Sequence, residues 1–167
     1  MTAERRIRGA GESRRRPSVG WREWVALPDL DIARIKTKVD TGARSSALHA
    51  LEVRKIRQDG EPWVSFKVHP VQRDARHTVV ARAPLVDERW VRSSSGKATL
   101  RPVIKTRLVL GARCWEIELT LVRRDLMGFR MLLGRQALRR RLTVDPARSF
   151  RAGEPVIPDP SRNEVQP

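Results

Sequence analysis

The stretch from Ile32 to Leu48 restricts the fold more than any other part of this chain. Ala33, Ile35, Thr37 and Val39 alternate with Arg34, Lys36 and Lys38, the two-residue period of a strand that buries one face. That strand runs into Asp40-Thr41-Gly42, and a second strand pattern resumes at Ser46. Gly42 lets the backbone turn where a side chain would clash, and the Thr41 hydroxyl can brace the turn. A carboxylate is thereby offered at a strand-to-turn junction. Taken alone the triplet is more often an ordinary Asx turn than a catalytic one, so its reading depends on what else the chain carries.

A second segment supplies that context. Met131-Leu132-Leu133-Gly134-Arg135-Gln136-Ala137-Leu138 joins an apolar pair to Gly-Arg and a short helix-like stretch, a weak echo of Val39-Asp40-Thr41-Gly42. The two motifs, at this separation, resemble one lobe of the retropepsin-like aspartic proteases. The resemblance implies that Asp40 is the catalytic carboxylate, positioned by Thr41 and Gly42. It also implies that Leu133, Gly134 and Arg135 support the active-site loop from beneath. Over a longer reach, Gly20-Trp21-Arg22-Glu23-Trp24-Val25-Ala26-Leu27-Pro28, Lys38–Ala50 and Met131–Phe150 resemble a small bacterial family labelled ATP-dependent zinc protease. That family is similar to the retropepsins and is associated with the ligase that adds glutamates to a ribosomal protein.

The remaining pattern agrees with an all-β chain. Trp21–Leu27, Ile32–Val39, Ser46–Arg57, Trp63–Val68 and His77–Leu85 read as strands, with a hairpin signal at Asp59-Gly60. Val103–Arg123 reads as a hairpin about Gly111-Ala112-Arg113, with Ile104, Leu108 and Leu110 facing a core together with Trp115, Ile117, Leu119 and Leu121. Ser93-Ser94-Ser95-Gly96 is a polar tip, either a plain loop or part of a flap over a cleft. Gln136–Arg141 suits a short helix and Leu142–Val144 a last strand. With the resemblance, the expected fold is a retropepsin-like (acid protease) closed β-barrel with one short helix.

A chain of 167 residues suits one domain. Residues 1–18 read as a disordered basic arm, 19–150 as the protease-like domain and 151–167 as a loose Pro-rich tail. No apolar run reaches the roughly 20 residues of a membrane span, and the arginine-rich start lacks the apolar core of a secretory signal. Cys114 is the single cysteine, which excludes an internal disulfide and agrees with a cytoplasmic location; beside Trp115 it reads as a packed small residue.

The chemistry meets one difficulty. Aspartic proteolysis needs two carboxylates sharing a proton, and this chain has no second Asp-Thr-Gly or Asp-Ser-Gly. Retropepsins resolve this by homodimerisation across a twofold axis, which is the expectation here. No cofactor is expected. The histidines His49, His69 and His77 show no zinc-ligand spacing and there is no phosphate-binding Gly-x-x-x-x-Gly-Lys-Ser/Thr loop, so the labels "zinc" and "ATP" find no support.

Arg44, Ser45 and His49 are assigned to substrate binding. Arg44 stands where retropepsins often carry an acid, and its guanidinium could hold a carboxylate through two parallel hydrogen bonds. Arg135 is expected in a structural ion pair. The formal charge of +16 and pI near 11.6 favour an anionic partner, although arginine also fills ordinary surface positions. The expected function is an aspartic-type endopeptidase acting on acidic or polyglutamylated protein tails, in association with the ribosome or the glutamate ligase. The alternative is a non-catalytic barrel that binds an anion such as ribosomal RNA.

Overall fold

Strand alternation builds one large sheet in a computed structural model that describes residues 15–123 and 128–159. In chain order the strands are β1 (Ser18–Val19), β2 (Arg22–Leu27), β3 (Ile32–Asp40), β4 (Ser46–His49), β5 (Leu51–Gln58) and β6 (Glu61–Val68). They continue as β7 (Val79–Arg92), β8 (Ala98–Leu110), β9 (Arg113–Val122) and β10 (Met131–Gly134). A short α-helix, α1 (Arg135–Leu138), the one α-helix among the described residues, precedes β11 (Thr143–Val144).

Nine strands form one sheet in the order β2-β3-β10-β4-β9-β8-β7-β6-β5, and β2 also meets β8. Six of them, β2, β3, β10, β4, β9 and β8, thus make a ring, while β7, β6 and β5 continue outward from β8. Closure rests on one residue pair, Ala26 with Val109. The β2–β3 ladder shifts register between Val25 and Leu27, and this bulge turns the Ala26 backbone toward β8. The closed barrel expected from the sequence is therefore a partial, ring-like barrel of retropepsin type. Leu27, Ile35, Leu48, Ile104, Leu108, Leu119, Met131 and Leu133 fill it and are almost wholly buried.

Local chemistry explains where strands begin and stop. Pro28 opens a 3-10 turn through Leu30, where its missing N–H costs nothing. Asp29 in that turn accepts from the Arg107 backbone N–H and from its Nε, both at 2.8 Å, which pins the turn to β8. Asp59 and Gly60 both have positive φ (52° and 80°), the geometry of a tight two-residue hairpin. The single strand expected over Ser46–Arg57 is broken instead at Ala50. Glu52 adopts φ 49° and the β5–β6 register slips between Leu51 and Arg54, so the chain leaves the ring there. The helix expected over Gln136–Arg141 also stops early, because Arg139 leaves helical geometry at ψ 129°.

Both ends of the expected domain need correction. Ser18 and Val19 pair in parallel with Thr143 and Val144, and Thr143 N–H donates to the Pro17 carbonyl at 3.0 Å. The segment from Pro17 therefore belongs to the fold rather than to a basic arm; residues 1–14 of that arm lie outside the described residues. Residues 151–157, expected to be loose, are tied down. Trp24 stacks on Phe150 at 5.4 Å and carries the Arg34 guanidinium 3.4 Å over its ring. Arg34 in turn grips Glu154 through two bonds of 2.7 and 2.8 Å, and Val156 N–H donates to the Gly111 carbonyl. Residues 160–167 lie outside the described residues.

Glu23 is the centre of this terminal clamp. Its carboxylate is fully buried and accepts from the backbone N–H groups of Gly20 (2.7 Å), Arg151 (2.9 Å) and Ala152 (3.2 Å). Glu23→Ala leaves three backbone donors, one buried and two part-buried, without their acceptor, a loss of about 3 kcal/mol. Calorimetry should then show melting about 6–12 °C below wild type. Among the described residues no helix is long and apolar enough to cross a membrane. Cys114, expected to be packed, is exposed.

Candidate active site

Two strand ends meet at the Asp40 loop. β3 and β10 run parallel, with Val39 opposite Leu133 and Asp40 opposite Gly134, so the strand ends that carry the two motifs lie side by side. β10 also pairs antiparallel with β4, which places it between the strand entering the loop and the strand leaving it. The loop from Thr41 to Ser45 bridges the two strands and crosses β10 at Gly134.

Gly134 is required there by close approach. A β-carbon at this position would stand 2.5 Å from the carbonyl carbon and oxygen of Ser45 and 3.0 Å from the Arg44 oxygen. The chain after Gly134 then holds the loop by its backbone: Arg135 N–H donates to the Ala43 carbonyl at 2.8 Å and Gln136 N–H to the Arg44 carbonyl at 3.1 Å. Gly134 N–H itself donates to Ser46 Oγ at 3.0 Å. Arg135 was expected in an ion pair. It instead donates Nη1 to the carbonyls of Thr41 and Gly42, each at 3.0 Å, where the neighbouring loop residue Arg44 offers it no carboxylate.

Inside the loop Asp40 is oriented by its own turn. Oδ1 accepts from the N–H of Gly42 at 3.0 Å and of Ala43 at 3.2 Å, which fixes the carboxylate plane and leaves Oδ2 without a hydrogen bond to the described residues. Asp40 is half-buried, while Thr41 and Gly42 are exposed. One carboxylate with a fixed plane and an open oxygen can hold a water or share a proton with a second acid. Among the described residues no His, Cys, Asp or Glu cluster could hold a metal ion.

The other expected site residues are distributed differently. Arg44 is exposed and Ser45 half-buried, both within the loop. His49 stands at the far end of β4, where its N–H donates to the Arg130 carbonyl at 2.8 Å; the loop hydrogen bonds do not include it. Sequence reasoning missed Ser46, the buried partner of Gly134, although its position next to Ser45 on the inward parity of β4 was a usable signal. It also missed a pocket of about 820 Å³ beside the loop, reached by Thr41, Arg44, Arg135 and Arg139.

These features agree with what the chain is similar to. The family model of RimB-like proteins, described as the retropepsin-like aspartic endopeptidase RimB, matches residues 18–155. The chain belongs to this RimB-like family. Curated relatives carry a different name: a "Probable alpha-L-glutamate ligase" of Desulfotalea psychrophila is 48% identical over 136 residues, covering 81% of this chain and 29% of the relative. One of the same name from Shewanella pealeana is 46% identical, covering 81% and 30%. The chain thus spans under a third of the length of these relatives. Among solved structures, the Legionella pneumophila protein Lpg0085, described as of unknown function, matches with a TM-score of 0.68 at 27% identity. That match covers 81% of this chain and 98% of the other.

Proposed function

We propose that this RimB-like chain is a homodimeric aspartic endopeptidase that hydrolyses peptide bonds in acidic, polyglutamylated protein tails. The observation that carries the reading is the Asp40 carboxylate, held by two loop amides above a glycine that only a close backbone crossing requires. One chain offers one such carboxylate, so a twofold partner supplies the second. With a water between them, one carboxylate takes a proton from water as it attacks the carbonyl carbon, and the other donates a proton to the carbonyl oxygen. Collapse of the tetrahedral species breaks the C–N bond, and the leaving nitrogen receives a proton from the dyad. Asp40 is the catalytic residue, and Thr41 and Gly42 position it.

The substrate class follows from charge. Arg44 is exposed on the loop, and a formal charge of +16 draws acidic chains toward it. The ligase names of the curated relatives fit a module that works beside a glutamate-adding activity carried elsewhere in those longer proteins. Incubation of the full chain with a polyglutamylated protein and with a glutamine-substituted control, read by mass spectrometry, tests this. Shortening of the acidic tail alone supports the reading, and no cleavage of either substrate overturns it. Arg44→Glu should raise KM for the acidic substrate about tenfold and flatten its rise with salt, since exposed charges are screened over about 8–10 Å. An unchanged KM would remove Arg44 from recognition.

A second reading is favoured by the pocket lined by three arginines and no acid. In it the barrel binds an anionic partner such as ribosomal RNA without cleaving anything.

A further inference from the structure

The pocket beside the Asp40 loop carries a charge imbalance larger than substrate recognition by Arg44 alone requires. Arg44, Arg135 and Arg139 line it, and none of its lining residues is acidic. Its apolar part is Leu138, Leu142 and Val144. Arg135 gives Nη1 to two carbonyls, but a carbonyl dipole does not cancel a full charge. Asp40 does not line the pocket, whereas its neighbour Thr41 does. The pocket therefore adjoins the carboxylate through the loop they share.

Its position has a consequence for assembly. A twofold pairing that joins two Asp40 carboxylates brings the exposed Thr41 close to the axis, and this pocket with it. Both copies then present the same cations to one boundary, and like charges at close range oppose association. An acid in place of Arg44 would have offset Arg135; this chain has none there. We propose that the pocket binds a polyanion with closely spaced carboxylates or phosphates, and that the bound anion promotes the homodimer. Guanidinium forks hold both groups through paired hydrogen bonds. The inference rests on the homodimer of the proposed function. A ligand that binds apposed pockets better than single ones shifts the monomer–dimer equilibrium by that difference in affinity.

Sedimentation velocity on the full-length Asp40→Asn chain, which cannot consume a peptide probe, tests the coupling. The probes are octaglutamate, tripolyphosphate and octaglutamine at matched ionic strength, and the two charged arms separate a carboxylate from a phosphate source. The dimer dissociation constant should fall about tenfold with a charged probe and stay fixed with octaglutamine. Adding Arg139→Ser, which removes one of the pocket's three cations, should tighten the dimer without anion and abolish the response. A dissociation constant indifferent to both charged probes overturns the inference, as does an equal response to octaglutamine or an undiminished response in the Arg139→Ser chain. An anion-independent dimer whose wild-type form cleaves through Asp40 would remove the inference and leave the peptidase reading standing. Wild-type cleavage that does not need Asp40 would remove the peptidase reading, whatever sedimentation shows.

Discussion

Asp40→Asn should lower the rate of peptide hydrolysis on the order of 10⁴-fold while melting within about 2 °C of wild type. The two halves of this expectation have separate causes. Asparagine keeps the shape of aspartate, and its side-chain oxygen can accept the same bonds from Gly42 and Ala43 that Oδ1 accepts now. The loop therefore keeps its form. What is lost is a group able to take a proton from water and return it, and no geometry replaces that. KM should change little, because substrate binding does not depend on that proton. Steady-state kinetics beside thermal unfolding separates the outcomes. Wild-type turnover in the variant contradicts the role of Asp40, and a large drop in melting temperature shows that the loop was disturbed instead.

Gly134→Ala should cost more activity than any other change outside the carboxylate. The added carbon meets the main chain of Ser45 at 2.5 Å and of Arg44 at 3.0 Å, and a backbone cannot rotate out of the way as a side chain can. Either β10 or the loop must move, at about 2 kcal/mol for an overpacked site and about 4–8 °C in melting temperature. Displacing the carboxylate by a fraction of an ångström to 1 Å should also cost about 100-fold in kcat. Unlike Asp40→Asn, this variant loses stability and activity together. Full activity with unchanged melting would show that the crossing at Gly134 does not support the loop.

The loop was legible because its constraints are local. Alternation through Val39, a turn glycine at Gly42 and the apolar pair before Gly134 each leave a mark within a few residues, and the strands that carry the two motifs, β3 and β10, pair in the sheet. Where the sequence reading failed, the deciding contacts were distant. The Pro-rich segment after Phe150 looked unpacked because its anchors, Glu23 and Gly111, lie far back in the chain. The bulge at Ala26 that joins β2 to β8 went unread, because that side chain carries no sign of it. Arg135 looked like half of an ion pair, but the loop carbonyls that took it have no side-chain signature. The pocket at Arg139 arises only where α1 ends, and helix ends are poorly marked when no glycine or capping residue closes them.

Shared catalysis is the central claim, and mixed dimers test it most directly. Wild-type chain held at fixed concentration is titrated with Asp40→Asn chain under exchange conditions, and hydrolysis is read per wild-type chain. If each active site takes one Asp40 from each of two chains, every mixed dimer is dead. Activity per wild-type chain then falls in proportion to the wild-type fraction, to about one half at equal mixing and about one tenth at ninefold excess. Activity that stays constant across the titration, with exchange verified by a tag on one chain, would contradict the dyad and place catalysis within a single chain.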